Sequence, residues 1–199
     1  MSLFDALLGR HKVKGPAPDR LFALSTAYVD LEAGHGVKTR GSAGIVFQAL
    51  ATADFQQIVS ETQELLQGTG QETGTQVETR DDEYGYRWVV LRDPDIEDLV
   101  VAVNTVGDGL AVGGYADRIL AAVFAFEDSQ GQPMYLIYNY KRGKWYPFVP
   151  ADGERTHAAE GGGSQRSNER ELQLKAQIGA GLPMEPELER WFPLWGAPI

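Results

Sequence analysis

The spacing of apolar residues along the chain predicts a mixture of amphipathic helices and short strands. Helices are indicated where apolar residues recur every three or four positions, and strands where apolar and aromatic runs are bounded by turn residues. The predicted helices cover residues 1–9, 19–24, 25–34, 53–67, a segment that begins at residue 93, 168–180 and 185–195. The predicted strands cover residues 42–50, 75–80, 84–92, 119–127, 133–141 and 144–149.

Short turns join consecutive predicted strands, which indicates antiparallel pairing. Ser129-Gln130-Gly131 and Arg142-Gly143 connect the last three strands of the chain. An antiparallel sheet with surrounding helices belongs to the α+β class. We therefore expect a single domain in which helices cover an antiparallel sheet of about five or six strands, with N- and C-terminal helices packing on that sheet.

Turn-forming and polar stretches divide this domain into four segments. Residues 1–18 are predicted to be an amphipathic helix followed by a basic joint, and residues 19–150 to be the α+β core. Residues 151–167 contain a glycine run and are predicted to be a flexible tether. Residues 168–199 are predicted to be a C-terminal helical segment.

Two of the helices have the strongest sequence signals. The helix over residues 53–67 has one apolar stripe and is expected to end at Gly68. The later helix is expected to have Asp93 as its cap and Pro94 at its first position. The stripe of the earlier helix consists of Phe55, Ile58, Val59, Thr62, Leu65 and Leu66.

Composition narrows the class of protein. The 199 residues are 43% hydrophobic, which is sufficient for one domain with its own core. The longest apolar run, residues 119–126, is too short to span a bilayer, and the N-terminus lacks signal-peptide features. The absence of cysteine excludes disulfides and thiolate chemistry. We expect a cytoplasmic protein, with or without peripheral attachment to the inner face of the membrane.

Charge is distributed unevenly along the chain. The formal net charge is -10, which argues against nucleic acid as a partner. Residues 54–98 hold twelve acids against three arginines, whereas residues 1–40 hold six Lys/Arg against four acids. The acidic middle would suit a basic partner, and the first segment an acidic or lipid surface. Solubility alone also accounts for the acidity.

The sequence between Gly107 and Gly113 is the nearest approach to a ligand-binding motif. Its glycines resemble a dinucleotide fingerprint, and Glu127 follows about 20 residues later. The spacing has three residues where the motif has two, and the preceding residues also fit a helical stripe. A strand before Gly107 would favour nucleotide binding, whereas a helix through Val103 would exclude it.

Other candidate chemistry is weak. The three histidines, His11, His35 and His157, are not at metal-binding spacing, and Asp81-Asp82-Glu83 lacks the register of a calcium loop. No serine lies in a Gly-x-Ser-x-Gly elbow. We therefore expect a protein that is not an enzyme and that has no metal and no cofactor.

Two apolar surfaces are candidates for binding a partner. One is the N-terminal stripe with the basic residues that follow it, which could lie weakly on an anionic membrane, dock on another helix or pack on the protein's own core. The other is the aromatic hairpin of the last two strands, which either presents one exposed face or is covered by Trp191 and Trp195. The candidate residues are Leu3, Phe4, Leu7, Leu8, Tyr138, Tyr140, Trp145, Tyr146, Trp191 and Trp195.

Three stretches of the chain carry a family resemblance. They are Met1-Ser2-Leu3-Phe4-Asp5-Ala6-Leu7-Leu8-Gly9-Arg10, then Tyr138-x-Tyr140-Lys141-x-Gly143-x-Trp145-Tyr146-Pro147-Phe148-x-Pro150, and finally Pro183-x-Glu185-Pro186-x-Leu188-x-Arg190-Trp191 with Trp195-Gly196-Ala197-Pro198. Together they resemble the PspAB family of PspA-associated proteins, and the resemblance runs along the whole chain. The glycine run near residues 161–163 is a candidate insertion.

The resemblance implies an accessory or regulatory role in the phage-shock-protein envelope-stress system. Its partner would be a PspA-like coiled-coil protein that coats and protects the inner membrane. The resemblance implies no catalytic residues. An alternative function is a secretion-chaperone-like, peptide-binding module, and a nucleotide-binding protein that uses Gly107–Gly113 is a weaker one.

Overall fold

A computed structural model describes residues 18–82, 84–151, 165–178 and 181–199. The helices of these residues are α1 (Pro18–His35), α2 (Ala53–Thr73), α3 (Ile96–Val112) and α4 (Asn168–Ile178). The strands are β1 (Lys38–Gln48), β2 (Gln76–Asp81), β3 (Tyr86–Arg92), β4 (Ile119–Glu127), β5 (Pro133–Asn139) and β6 (Lys144–Phe148). Short 3-10 turns occur at Ala116–Arg118 and Leu188–Arg190. The predicted helix over residues 1–9 and most of the predicted tether lie outside the described residues.

The six strands form one antiparallel sheet in the order β2-β3-β1-β4-β5-β6. Successive side chains of β4 alternate between two cores, with Phe124 on the helix-covered face and Val123 on the second face. Because both faces are covered, the strand has a continuous apolar sequence instead of an alternating one. The expected single α+β domain with five or six antiparallel strands is confirmed.

The helices form one layer on one face of the sheet. α3 is central and packs on the sheet, with α1 and α2 on either side, and α4 packs between α1 and β6. The Tyr115 hydroxyl, just after α3, donates to Asp54 at the beginning of α2 (2.7 Å). The Thr75 hydroxyl, just after α2, donates to Asp93 just before α3 (2.6 Å). These two contacts place α2 and α3 antiparallel to each other.

The cap of α3 lies two residues later than the sequence suggests. Asp95 is the N-cap, and its carboxylate accepts the N–H of Glu97 at 2.7 Å. Asp93, the expected cap, is buried before the helix and accepts hydrogen bonds from the N–H of Asp95 and the hydroxyl of Thr75. The negative charges still lie beside the positive end of the helix dipole.

Two helices extend beyond their predicted ends. α1 is a single helix that continues through Ser25, because one buried stripe runs along its whole length. That stripe contains Leu21, Leu24, Ala27 and Leu31. α2 continues through Gly68 and ends at Gly74, whose φ of 93° is the left-handed conformation that favours glycine after a helix. Local start and stop signals were therefore overridden by continuous packing.

The second face of the sheet is covered by an extended segment, residues 183–199, which we call the C-terminal strap. At the edge of the sheet, the N–H of Trp145 donates to the carbonyl of Pro183 (3.0 Å) and the N–H of Glu185 donates to the carbonyl of Trp145 (2.7 Å). The strap then crosses to β1, where Ile199 Cγ2 lies 2.8 Å from the position that a Cβ on Gly44 would occupy. A side chain at Gly44 would therefore displace the strap.

The predicted helix over residues 185–195 is wrong. Within the strap only Leu188–Arg190 forms a helical turn, and it is a single 3-10 turn. Pro186 and Pro193 lack an N–H group and disfavour helical conformation in the residue before each of them. The C-terminal segment therefore packs on the sheet partly as helix α4 and partly as extended chain.

A buried carboxylate, Glu171 of α4, joins three parts of the chain. It accepts the N–H of Val149 at 2.9 Å and pairs with Arg166 Nη2 at 2.6 Å. Arg166 Nη1 also donates to the carbonyl of Trp191 in the strap (2.5 Å). Arg166 and its neighbours were predicted to belong to the tether, yet Arg166 forms a β-bridge with Pro150. Glu171 thus connects the end of β6, the segment before α4 and the strap.

A second buried carboxylate, Glu185, holds the beginning of the strap. Its partner is Arg142 in the β5–β6 turn, with two nitrogens of the guanidinium bonded to the two carboxylate oxygens. Burial alone would raise the pKa of Glu185, but the hydrogen bonds from Arg142 and from the N–H of Glu187 outweigh burial and lower it. The ionised form of Glu185 is therefore favoured by the folded state.

Candidate functional site

The aromatic hairpin is divided between the two faces of the sheet. Tyr138 and Trp145 face the helices with ring centroids 5.1 Å apart, and the indole N–H of Trp145 donates to the carbonyl of Arg20 (2.9 Å). Tyr140 lies beside them, with its ring centroid 5.1 Å from that of Tyr138. Tyr146 lies on the second face. All of these side chains are buried except that of Tyr140, which is half-buried.

Tryptophans of the C-terminal strap cover the second face of this hairpin. Trp191 stacks on Tyr146, with centroids 6.5 Å apart and rings 21° from parallel. Trp195 meets Phe148 edge to face at 4.8 Å. The alternative in which Trp191 and Trp195 pack on the hairpin is therefore confirmed, although they do so from an extended strap and not from helices. The aromatic face is not an exposed patch in this conformation.

The partner-binding role of the predicted residues stays a prediction. The aromatic residues lie within the protein's own packing, as described above. The remaining candidates, Leu3, Phe4, Leu7 and Leu8, lie outside the described residues. Among the candidate residues, the structure therefore brings together only the aromatic ones of the hairpin and the strap.

The buried tyrosines have their phenols held in the neutral form. Burial raises the pKa of Tyr140, and Tyr138 and Asp108 raise it further through charge repulsion. Burial also raises the pKa of Tyr146, with Arg166 opposing the change only in part. The hydroxyls of Tyr138 and Tyr140 have no hydrogen-bond partner within the described part of the chain. These phenols stay protonated at neutral pH.

The glycine segment at Gly107–Gly113 is helical, and the nucleotide-binding interpretation is wrong. α3 runs from Ile96 to Val112, so the strand that a phosphate-binding loop requires before Gly107 is replaced by helix. The glycines instead permit close packing. A Cβ on Gly109 would lie 2.4 Å from Thr62 Oγ1, and a Cβ on Gly113 would lie 2.4 Å from Ile58 Cδ1. α2 and α3 therefore approach each other closely at this end.

At the opposite end of the helix pair, α2 and α3 enclose a groove. It lies between the C-terminal end of α2 and the N-terminal end of α3. Its volume is about 130 Å³. Leu65 and Val101 stand at its opening and are 59% and 51% exposed, respectively. The side chains that line it include Leu65, Leu66, Asp98, Val101, Ala102 and Thr105. This α2–α3 groove is an apolar recess open to solvent.

Acidic side chains dominate the two helices that form the α2–α3 groove. The sequences of α2 and α3 contain no lysine and no arginine. Asp98 lines the groove, and Glu64 and Glu97 are exposed next to residues that line it. Burial raises the pKa of Asp98 in the groove wall, and the neighbouring Asp93 and Asp95 raise it further. The groove therefore combines an apolar interior with a negative rim.

Sequence reasoning missed this groove. It assigned Leu65 to the buried stripe of its helix, although the Leu65 side chain is mostly exposed. The one feature of the sequence that could have indicated the groove is Val101. This apolar residue lies off the buried stripe of α3 and close in sequence to Glu97 and Asp98. A single exposed valine is common on protein surfaces, so this signal becomes informative only beside the facing helix.

Metal-binding clusters and membrane-spanning helices are both absent from the described residues. Within residues 18–82, 84–151, 165–178 and 181–199, no group of three or more His, Asp or Glu side chains is arranged to hold a metal ion. Among the helices of the same residues, none has both the length and the apolar character that crossing a membrane requires.

The described architecture is that of a single-domain α+β protein. Its six-stranded antiparallel sheet has helices on one face and the C-terminal strap on the other. The chain belongs to the PspAB family, described as PspA associated protein B, which it matches over residues 1–199. No curated protein and no solved structure matches the chain. The resemblance noted in the three sequence stretches is thereby confirmed along the whole chain.

Proposed function

We propose that this protein is a non-enzymatic accessory protein that binds a PspA-like coiled-coil protein and adjusts its activity in the envelope-stress response. The observation that carries the proposal is the match of all 199 residues to a family described as PspA associated protein B. A full-length match concerns the whole fold and not an isolated motif. The proposal places the protein in the cytoplasm, at the inner face of the membrane where such a coiled coil would lie.

The surface chemistry of the chain supports a protein as its partner. The formal net charge is -10, and the exposed groove between α2 and α3 has an acidic rim. Nucleic acid and anionic lipid would both be repelled by such a surface. Contact with the membrane would therefore be indirect, through the coiled coil, or weak, through the basic segment after residue 9.

The non-enzymatic part of the proposal has its own support. The segment that most resembled a ligand-binding loop, Gly107–Gly113, belongs to helix α3 and its C-terminal end. The glycines of this segment permit close packing of α2 against α3, and a binding role accounts for the exposed groove without requiring any chemistry.

Co-purification from the native host tests the proposed function. Tagged full-length protein should retain the host's PspA, and a variant that lacks residues 1–14 should lose it if the N-terminal stripe docks the partner. The Leu3→Ser/Leu7→Ser variant tests the apolar face with the charges intact. Lys12→Gln/Lys14→Gln is its matched control, because it removes charge and keeps the stripe.

The outcomes separate the partner from its docking surface. PspA in every eluate would support the partner and place its docking outside residues 1–14. Absence of PspA from the full-length eluate, and failure of the purified proteins to co-sediment, would refute the proposed function. Binding of unfolded peptides without binding of PspA would favour the chaperone-like alternative, for which the open apolar groove is the relevant observation.

A further inference from the structure

The α2–α3 groove has a defined structural origin. Glycine at position 109 lets α2 and α3 approach closely at Thr62, as does Gly113 at Ile58. Towards the end of α2 the facing positions include Gly70 and Ala102, whose small size leaves space between the helices, and the recess opens there. The recess therefore follows from the sizes of the side chains along two antiparallel helices.

The shape of the recess suits one large apolar side chain from another helix. Its volume of about 130 Å³ is similar to that of cavities of about 150 Å³ that accept a benzene-sized group. Amphipathic helices bind other proteins by placing their apolar residues into a groove between two helices. Exposed Val101 and Leu65 would extend the apolar contact on either side of that anchoring residue.

The charge around the recess selects the partner. Asp98 lies in the wall of the recess, and Glu64 and Glu97 are exposed next to it along the two helices. Neither α2 nor α3 contains a basic residue. Arg87, on the helix-covered face of the sheet, is paired with Asp81 and contacts Gln56 near the beginning of α2, at the other end from the recess. The rim is thus left negative, and it matches lysine or arginine on the flanks of a bound helix.

We propose that the α2–α3 groove binds an amphipathic helix of a partner protein, with a leucine or aromatic anchor in the recess and lysine or arginine residues flanking the apolar stripe. The identification of that partner as a PspA-like coiled coil rests on the proposed function above, whereas the groove's preference for a basic amphipathic helix does not. A second copy of this chain is disfavoured because two acidic rims would face each other. Anionic lipid is disfavoured for the same reason.

Binding to defined peptides tests the groove directly. The probe is a synthetic helix of about 18 residues, or about five turns, with leucines at helical spacing and lysines on the flanks. The control probe has the same leucines and glutamates in place of the lysines. Full-length protein should bind the lysine peptide in fluorescence anisotropy and should bind the glutamate peptide more weakly. Raising the ionic strength from about 0.05 to about 0.5 M should weaken binding of the lysine peptide.

Variants locate the site on the protein. Val101→Ser should weaken binding about fivefold because it removes apolar contact, and Asp98→Asn should weaken it by a similar factor through lost charge. Val29→Ser and Asp30→Asn are matched controls on α1, since Val29 is 62% exposed and Asp30 is exposed beside it. Circular dichroism of each variant shows whether it is folded before its affinity is compared.

Each outcome supports or overturns the proposal. Equal affinity for the two peptides, or equal losses in the α1 controls and the groove variants, would overturn it. Binding of the lysine peptide by the Leu3→Ser/Leu7→Ser variant but not by the unaltered protein would assign the groove to the chain's own N-terminal segment instead. A dimer that Val101→Ser dissociates would assign it to a second copy. If the protein retains PspA and the groove variants change neither this retention nor the affinity for the lysine peptide, the proposed function is supported and the groove is refuted as the binding site.

Discussion

The close crossing of α2 and α3 gives the sharpest test of how this sequence builds its helical layer. An alanine Cβ at position 109 would lie 2.4 Å from Thr62 Oγ1 and 3.3 Å from Thr62 Cγ2. The Thr62 hydroxyl donates to the carbonyl of Ile58 at 2.8 Å, which holds the side chain in place. The contact is shorter than any normal van der Waals separation, so Gly109→Ala must force the two helices or the Thr62 rotamer to move.

The expected magnitude follows from two opposing effects. Alanine in place of glycine within a helix stabilises it by about 1 kcal/mol. Overpacking at a close helix contact costs about 1–3 kcal/mol. Gly109→Ala should therefore lower the free energy of unfolding by about 0–2 kcal/mol. Gly68→Ala is the matched control, because a Cβ at that position of α2 meets no atom within 4 Å. It should raise the free energy of unfolding by about 1 kcal/mol.

Variants of Thr62 show whether crowding causes the loss of stability in Gly109→Ala. Thr62→Ala removes both atoms that crowd position 109, so the Gly109→Ala/Thr62→Ala pair should recover the helix-propensity gain. The coupling free energy of this double-mutant cycle should be about 1 kcal/mol or more. Thr62→Ser keeps Oγ1, the nearer atom, and should not rescue Gly109→Ala. Its failure distinguishes the hydroxyl contact from a general loosening of the helix pair.

Urea denaturation followed by circular dichroism and tryptophan fluorescence measures these changes, provided that the slope of the transition is unchanged. Crowding between position 109 and Thr62 is refuted if Gly109→Ala stabilises the protein as much as Gly68→Ala. It is also refuted if Thr62→Ser rescues as well as Thr62→Ala, because the hydroxyl would then not be the crowding group. The first result would mean that the helices separate at little cost.

Three further predictions concern the C-terminal strap and its supports. Glu171→Ala should lower the free energy of unfolding in urea by about 3–5 kcal/mol, because it leaves Arg166 without its buried carboxylate; a loss below 1 kcal/mol would contradict this. Trp191→Ala should cost about 3–5 kcal/mol, and exposed Phe192→Ala, its control, should change stability by less than about 0.5 kcal/mol. The pKa of Glu185 is lowered from its usual 4.5 in the folded protein. The ionised form of Glu185 should therefore stabilise the native state above pH 4.5. This stabilisation should vanish as the pH falls through the lower pKa of the native state. Urea titrations between pH 6 and pH 3 should show the wild type converging with Glu185→Gln, and a constant difference across that range would refute the assignment.

Much of the sheet could be predicted from the sequence because its strands carry local signals. The strand over residues 119–127 has the predicted bounds, and those over 133–141 and 144–149 end within two residues of the observed strands. Runs of β-branched and aromatic residues bounded by turn residues are properties of neighbours along the chain. The antiparallel α+β class follows from the same signals, since short turns leave few other ways to pair consecutive strands.

Helix ends and helix identity were less predictable where tertiary contacts decide them. Ser25 and Gly68 carry local signals for a helix boundary, but the buried stripe of α1 runs past Ser25 and α2 continues past Gly68 to the left-handed Gly74. The strap has apolar residues at spacings that also suit a helix. Its four prolines and the apolar second face of the sheet favour an extended path instead.

The sequence alone determined the family, the fold class and which residues are apolar enough to be buried. Only the tertiary structure decided which element covers each of them. Trp191 is buried because the second face of the sheet lies beneath it, and Leu65 is exposed because the space between α2 and α3 is open to solvent at that point. The physical reason is that hydrophobic periodicity shows which side of a segment is apolar, whereas the partner of that side depends on residues far away in the chain. The groove and the strap are both products of such long-range contacts.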